Sequence, residues 1–160
     1  MSTVIPFQRF LDDQRDDVWR FLVAAVGRQN ADDCFQETFM AALRSYPRLE
    51  PGSNHRAWVL TIAARKAIDH HRGQARRPTP LAEVPDRAQQ GEIASDLGVW
   101  DEVRTLPEKQ RAAVLLRYAG DLTHREVAAA IGCSEAAARQ SLHEGLQKLR
   151  ATVSPGEAAA

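Results

Sequence analysis

The chain has 160 residues, 44% of them hydrophobic and 26% charged, a composition that fits a globular protein of one domain or two small ones. Its 21 basic and 21 acidic residues cancel, which excludes a uniformly basic nucleic-acid binder and a chain kept disordered by net charge. No apolar run reaches the roughly 18 residues of a membrane span, and Met1–Phe10 lacks the basic start and apolar stretch of a signal peptide. A cytoplasmic address without membrane insertion is therefore expected.

The charge comes in blocks. Residues 1–54 carry 6 basic and 8 acidic groups, 55–77 carry 6 and 1, 78–105 carry 2 and 6, and 106–150 carry 7 and 5. Such blocks imply different partners for different segments. Cys34 and Cys133 stand far apart with no CxxC or Cys/His spacing, so neither a disulfide framework nor a zinc site is expected, and no cofactor is implied.

Phe7, Phe10, Leu11, Val18, Leu22 and Val26 approximate a 3.6-residue stripe, predicting a first helix that Gly27 stops. Asn30 is placed to cap a second, with Asp33 three residues on in the manner of a capping box. That helix sets Phe35, Phe39, Ala42 and Tyr46 on one face and ends at Pro47. Pro47–His55 reads as a loop. A third helix is predicted from Arg56 to about Gln74. Its first turns, Ala57 to Ala64, are apolar nearly all round and should be buried, and its far end is basic: Arg65, Lys66, Arg72, Arg76 and Arg77.

Between Pro78 and Gln90 the pattern lapses into prolines and acids, a linker dividing the chain in two. Helix resumes with Ile93, Leu97, Trp100 and Val103. Pro107 opens another, with Val114, Leu115 and Tyr118 as its apolar side up to Gly120. Thr123 and Glu126 form a capping box for a short helix through Val127, Ala128 and Ile131. Gly132 breaks it, Ser134 caps the next, and Ala138, Leu142, Leu146 and Leu149 run down that helix's buried side. No strand-like alternation occurs. The expected fold is all-α, two small helical domains (1–76 and 92–153) joined by a flexible linker (77–91), with a disordered tail at 154–160.

Two helices about a short glycine turn make the helix-turn-helix shape, whose second helix lies in the major groove. A merely packed αα-hairpin has the same outline. The capping box, the small Ala128 four residues before Gly132 and the apolar set on both helices favour the DNA-reading form. In the first half, Asp32/Gln36 and Asp33/Glu37 are i,i+4 pairs forming an acidic stripe, either a solvated face or a docking face. The basic helix end beside Trp58 is likewise either solvated or able to hold a splayed nucleic-acid strand.

In this order the features resemble the extracytoplasmic-function (ECF) sigma factors, promoter-recognition subunits of bacterial RNA polymerase. Three stretches carry the resemblance: Ala31 to Phe39, His55 to His70, and Leu106 to Arg150. It implies that Asp32, Asp33, Gln36 and Glu37 dock on the clamp helices of the core polymerase. It further implies that the loop around Asn54 and the helix carrying Trp58, Arg65, Lys66 and Asp69 open and read the minus-10 element, with Arg72, Arg76 and Arg77 on phosphates. Ser134, Arg139, Gln140 and His143 would meet the minus-35 element. The chain from Arg76 to Glu92, about 16 residues at roughly 3.3–3.6 Å each, could tether two readers along promoter DNA.

Many members of that family are held inactive by an anti-sigma factor, which adds such a protein to the implied partners. Two departures stand out: Cys34 replaces an aliphatic residue, and Ser141 and Glu144 replace arginines often found on the recognition helix. Glu144 is expected to face phosphates, so that Glu144→Arg would strengthen promoter binding. The alternative is a stand-alone helix-turn-helix transcriptional regulator. An enzyme is disfavoured, because Asp69, His70, His71 and His124 have no nucleophile, metal-ligand spacing or phosphate-binding glycine loop to work with, and no small-molecule substrate is implied.

Overall fold

The computed structural model describes residues 5–50, 52–76 and 94–157, of which 94–97 and 153–157 by backbone alone. Every regular element among the described residues is helical. The linker expected at 77–91 lies outside them.

Helix α1 (Phe7–Val26) ends where Gly27 takes φ +83°, a region that a side chain would make costly. The chain turns there directly into α2 (Arg28–Ser45), with Gly27 in the capping position. Asn30 is therefore not the cap it was expected to be. It lies inside α2, and its Nδ2 donates to the Val26 carbonyl, 3.2 Å away, at the open end of α1. A short 3₁₀ turn over Tyr46–Arg48, with Pro47 in it, closes α2. Helix α3 (His55–Arg76) crosses both, and the three bury Phe10, Val18, Phe21, Leu22, Phe39, Val59 and Leu60 between them.

The second half starts with α4 (Ala94–Arg104) and α5 (Glu108–Val114). The latter widens into a π turn over Leu115–Ala119, where the Gly120 N–H reaches back to the Leu115 carbonyl at 2.9 Å. This turn corrects one expectation. With more residues per turn the phase drifts, Leu115 and Leu116 are buried, and Tyr118, expected on the apolar side, is 56% exposed. Helix α6 (His124–Ile131), the left-handed Gly132 (φ +72°) and α7 (Glu135–Glu157) complete the chain. The α7 backbone is helical on to Glu157, past Ser154, where a tail was expected to begin.

The two halves are in contact. Their buried residues form one continuous cluster from Phe10 to Leu142. Where Phe21 and Ala67 meet Leu115 the remaining cavity is about 10 Å³, no more than about one water. Arg104 of α4 donates to the Ala24 and Val23 carbonyls, 3.0 Å each, placing a cation on the negative end of α1. His71 of α3 adds a bond of 2.7 Å to the next carbonyl, that of Ala25. No helix among the described residues is long and apolar enough to cross a membrane.

Candidate polymerase and nucleic-acid interfaces

Helix α2 presents the acidic stripe as expected from its period. Asp32, Asp33, Gln36 and Glu37 are all exposed, while Ala31, Cys34, Thr38 and Phe39 on the opposite side are buried. Two residues that the sequence reading missed extend the stripe: Met40 is 60% and Leu43 54% exposed. They stand four and seven residues after Gln36, so their position on the stripe was readable from spacing alone. The stripe ends in apolar surface, the usual centre of a binding patch. Beneath it, burial and then the Glu37 and Asp33 carboxylates push the Cys34 thiol up to about 11.

Helix α3 carries the basic end. Arg65, Asp69, Arg72 and Arg76 are exposed, and Lys66 is half-buried. Trp58 is not fully buried. It is half-buried in an aromatic cluster, edge-on to Phe10 at 5.7 Å and tilted against Tyr46 at 6.5 Å between ring centroids. Asn54 opens the helix, its Oδ1 accepting from the Ala57 N–H at 3.1 Å.

The C-terminal half touches this basic surface at two places. Arg72 forks onto Glu108 of α5, with Nε–Oε1 at 2.7 Å and Nη2–Oε2 at 2.8 Å. The pairing raises the Arg72 pKa and lowers that of Glu108 below the usual carboxylate range. Asn54 Nδ2 donates to Glu126 Oε2 at 2.9 Å, and Arg56 joins Asp17 to the Gly120 carbonyl. A cleft of about 340 Å³ remains, lined by Arg65, Asp69 and Arg72 on one side and Glu108, Lys109 and Gly132 on the other. The pairing of Glu108 with Arg72 and that of Glu126 with Asn54 had no signal in the sequence, because each acid meets its partner only through the packing of the halves.

The helix-turn-helix forms as expected. Thr123 Oγ1 accepts from the Glu126 N–H at 3.1 Å while Glu126 Oε1 accepts from the Thr123 N–H at 2.9 Å. Ser134 Oγ accepts from Ala137 N–H at 3.1 Å at the start of α7. Val127, Ala128, Ala138 and Leu142 are buried together, and Ser134, Arg139, Gln140 and His143 are exposed. Arg139 pairs with Glu135 at 2.9 Å. Glu144 departs from expectation. It is half-buried, and its carboxylate accepts from Gln140 at 2.9 Å and from Gln110 of α5 at 3.2 Å, so it is a tie between helices rather than a free charge aimed at phosphate. Among the described residues no three His, Cys, Asp or Glu side chains gather as a metal site would.

Comparison with known proteins matches residues 11–77 to Sigma-70 region 2 and residues 96–149 to Sigma-70, region 4. The chain is 30% identical over 156 residues to the ECF RNA polymerase sigma factor SigC of Mycobacterium tuberculosis (strain CDC 1551 / Oshkosh), covering 94% of this chain and 84% of that one. It is 31% identical to the ECF RNA polymerase sigma factor SigX of Bacillus subtilis (strain 168), over 90% and 81% of the two chains. Among solved structures its fold is similar to the sigma factor RpoE of Bartonella quintana in complex with the anti-sigma factor NepR, with TM-score 0.74, 20% identity and coverage of 94% and 98%. It is also similar to CnrH in complex with the cytosolic domain of CnrY, with TM-score 0.70, 22% identity and coverage of 94% and 89%. With both regions present in order and relatives matched along most of their length, the chain belongs to the ECF sigma factors, promoter-recognising transcription initiation factors of RNA polymerase.

Proposed function

We propose that α2 is the docking element for core RNA polymerase, through Asp32, Asp33, Gln36, Glu37 and the apolar Met40 and Leu43. The observation that carries this is the exposure of all six on one helix whose other side is core. An acidic stripe with an apolar end suits a basic partner helix, which it would attract and then hold. On the same reading the Asn54 loop and the α3 surface of Trp58, Arg65, Lys66, Asp69, Arg72 and Arg76 meet the minus-10 element, and Ser134, Arg139, Gln140 and His143 of α7 meet the minus-35 element. The half-buried Trp58, packed against Phe10 and Tyr46, has only part of its ring free at that surface.

The chain contributes binding and strand separation in this scheme, and the polymerase contributes the chemistry. Its place of work is the cytoplasm. Two of the solved structures similar in fold are complexes with NepR, an anti-sigma factor, and with the cytosolic domain of CnrY. We extend an anti-sigma partner to this chain as part of the same proposal.

The test is gel-filtration co-elution of the purified protein with bacterial core RNA polymerase, beside a variant carrying Asp33→Arg and Glu37→Arg. Stoichiometric co-elution that the variant loses supports the docking face. Co-elution retained by the variant moves docking elsewhere. No co-elution by the folded wild-type chain favours a stand-alone helix-turn-helix regulator.

A further inference from the structure

We propose that Glu144 is a positioning residue for base reading: it locks the side-chain amide of Gln140 so that this residue accepts from an exocyclic amino group, and so favours adenine or cytosine over guanine or thymine at one position of the upstream element. The inference rests on the reading of α7 as the minus-35 helix.

Three observations meet at this point. Gln140 Nε2 donates to Glu144 Oε1 at 2.9 Å. Glu144 is itself held, because its Oε2 accepts from Gln110 Nε2 of α5 at 3.2 Å, and it is half-buried where the two helices come close. That close approach is built into the backbone. At the neighbouring Gly145 a Cβ would stand 3.0 Å from Val114 Cγ2 and 3.4 Å from Gln110 Cβ, so α5 sits close enough to α7 there that even a methyl group would make its side chains give by a few tenths of an ångström. The carboxylate is thus fixed from behind before it meets Gln140.

The consequence follows from the donor and acceptor inventory. A glutamine amide can normally turn over, offering either its carbonyl or its NH₂ in a given direction. A carboxylate only accepts, so Glu144 fixes which way the Gln140 amide lies. The NH₂ side is turned to Glu144, which takes one of its two N–H donors, so a base meets the carbonyl Oε1 as an acceptor of fixed position, with the second N–H able only to add to that contact, as it does against adenine N7. In the major groove the donors for such an acceptor are adenine N6 and cytosine N4, whereas guanine O6 and N7 and thymine O4 are acceptors and oppose it. Arg139 beside it is not constrained in this way. Its exposed partner Glu135 occupies one of five donors and leaves the fork able to turn to a base.

The experiment uses the full chain reconstituted with core RNA polymerase and a duplex library randomised over the upstream promoter element, with bound and unbound DNA sequenced. The expected wild-type profile has one position at which adenine and cytosine exceed guanine and thymine by on the order of tenfold, the scale of a good base contact. Gln140→Ala should erase that preference and no other. Glu144→Gln, nearly isosteric but able to donate, should leave it below about twofold because the amide can now turn over. Removing the charge also changes affinity for phosphate, but equally on all sequences, so that effect is separable from the loss at one position. Gln110→Met, which removes the backing bond without altering the exposed side of α7, should weaken the same preference in part.

A Glu144→Gln profile identical to wild type at the Gln140 position overturns the positioning role while leaving the minus-35 reading intact. A keto preference (guanine or thymine) at that position also overturns it. A wild-type profile flat at every upstream position overturns the minus-35 reading and this inference with it.

Discussion

The Arg72 guanidinium of α3 and the Glu108 carboxylate of α5 lie parallel, joined by two hydrogen bonds of 2.7 and 2.8 Å across a gap of 36 residues in sequence. One of the cations proposed for promoter phosphates is therefore occupied by the other half of the same chain. Both side chains are partly exposed, at 56% and 34%, so water and salt compete for the pair and it can be exchanged for a phosphate. Glu108→Arg should replace attraction by repulsion. The expected results are a larger radius of gyration in X-ray scattering at about 0.1 M salt, where charges about 10 Å apart still interact, and tighter binding of a single-stranded oligonucleotide in an anisotropy titration. Unchanged values of both would mean that the fork does not hold the halves together.

A second tie between the halves titrates. His71 Nε2 donates to the Ala25 carbonyl at 2.7 Å, and burial lowers its pKa from 6.5, with Arg111, His70 and Arg104 acting in the same direction against the bond's own pull. The unfolded chain then binds this proton at a higher pH than the folded one does, so the stability contribution is full above about 6.5 and falls as the pH drops below it. Melting temperatures at pH 7.5 and 5.5 should show this loss, and His71→Gln, which keeps a donor but does not titrate, should lose less. An equal loss in both proteins would assign the pH dependence to other groups.

The difference between what was and was not legible follows the range of the interactions. The capping box of Thr123 and Glu126, the glycine stops at Gly27 and Gly132 and the burial of Phe39 and Leu142 are local or periodic, and they were readable from neighbouring residues. Asn30 failed as a cap because Gly27 let the chain turn without an intervening loop, a decision of the backbone rather than of composition. Tyr118 failed because a π turn changes the period on which the reading depended. The acidic stripe was legible as a face, and its docking role is what the resemblance implies and the proposal takes up. Glu108 with Arg72, Glu126 with Asn54 and Gln110 with Glu144 were not legible, since tertiary packing alone brings each pair together.

The glycines allow a paired stability test. At Gly145 an added Cβ meets Val114 Cγ2 at 3.0 Å, so Gly145→Leu should drive α5 from α7 and cost about 1–3 kcal/mol. At Gly73, in the last turn of α3, an added Cβ meets nothing within 4 Å, so Gly73→Ala should stabilise by up to about 0.5–1 kcal/mol through helix propensity. Urea denaturation of both variants reads the two signs directly. A stabilised Gly145→Leu would show that the helices have room to spare there.

Cys34 reports from inside on α2, the helix proposed for docking. Cys34 is 3% exposed with its thiol pushed up to about 11, first by burial and then by the Glu37 and Asp33 carboxylates. At pH 8 about one part in a thousand is thiolate, the only form that reacts with an alkylating agent. Iodoacetamide followed by peptide mass spectrometry should therefore label the half-buried Cys133 well before Cys34. Replacing Asp33 by Asn and Glu37 by Gln removes the carboxylates' part of the shift and leaves burial, its largest single cause, so Cys34 should react somewhat faster but still more slowly than Cys133. A polymerase bound on the stripe brings basic charge to the same side of α2, yet it also covers the helix. Labelling of Cys34 in that complex should fall below that of the free chain, because access must come before ionisation can matter. Rapid labelling of Cys34 in the free native chain would mean that α2 opens readily from the core, which a rigid docking helix cannot do.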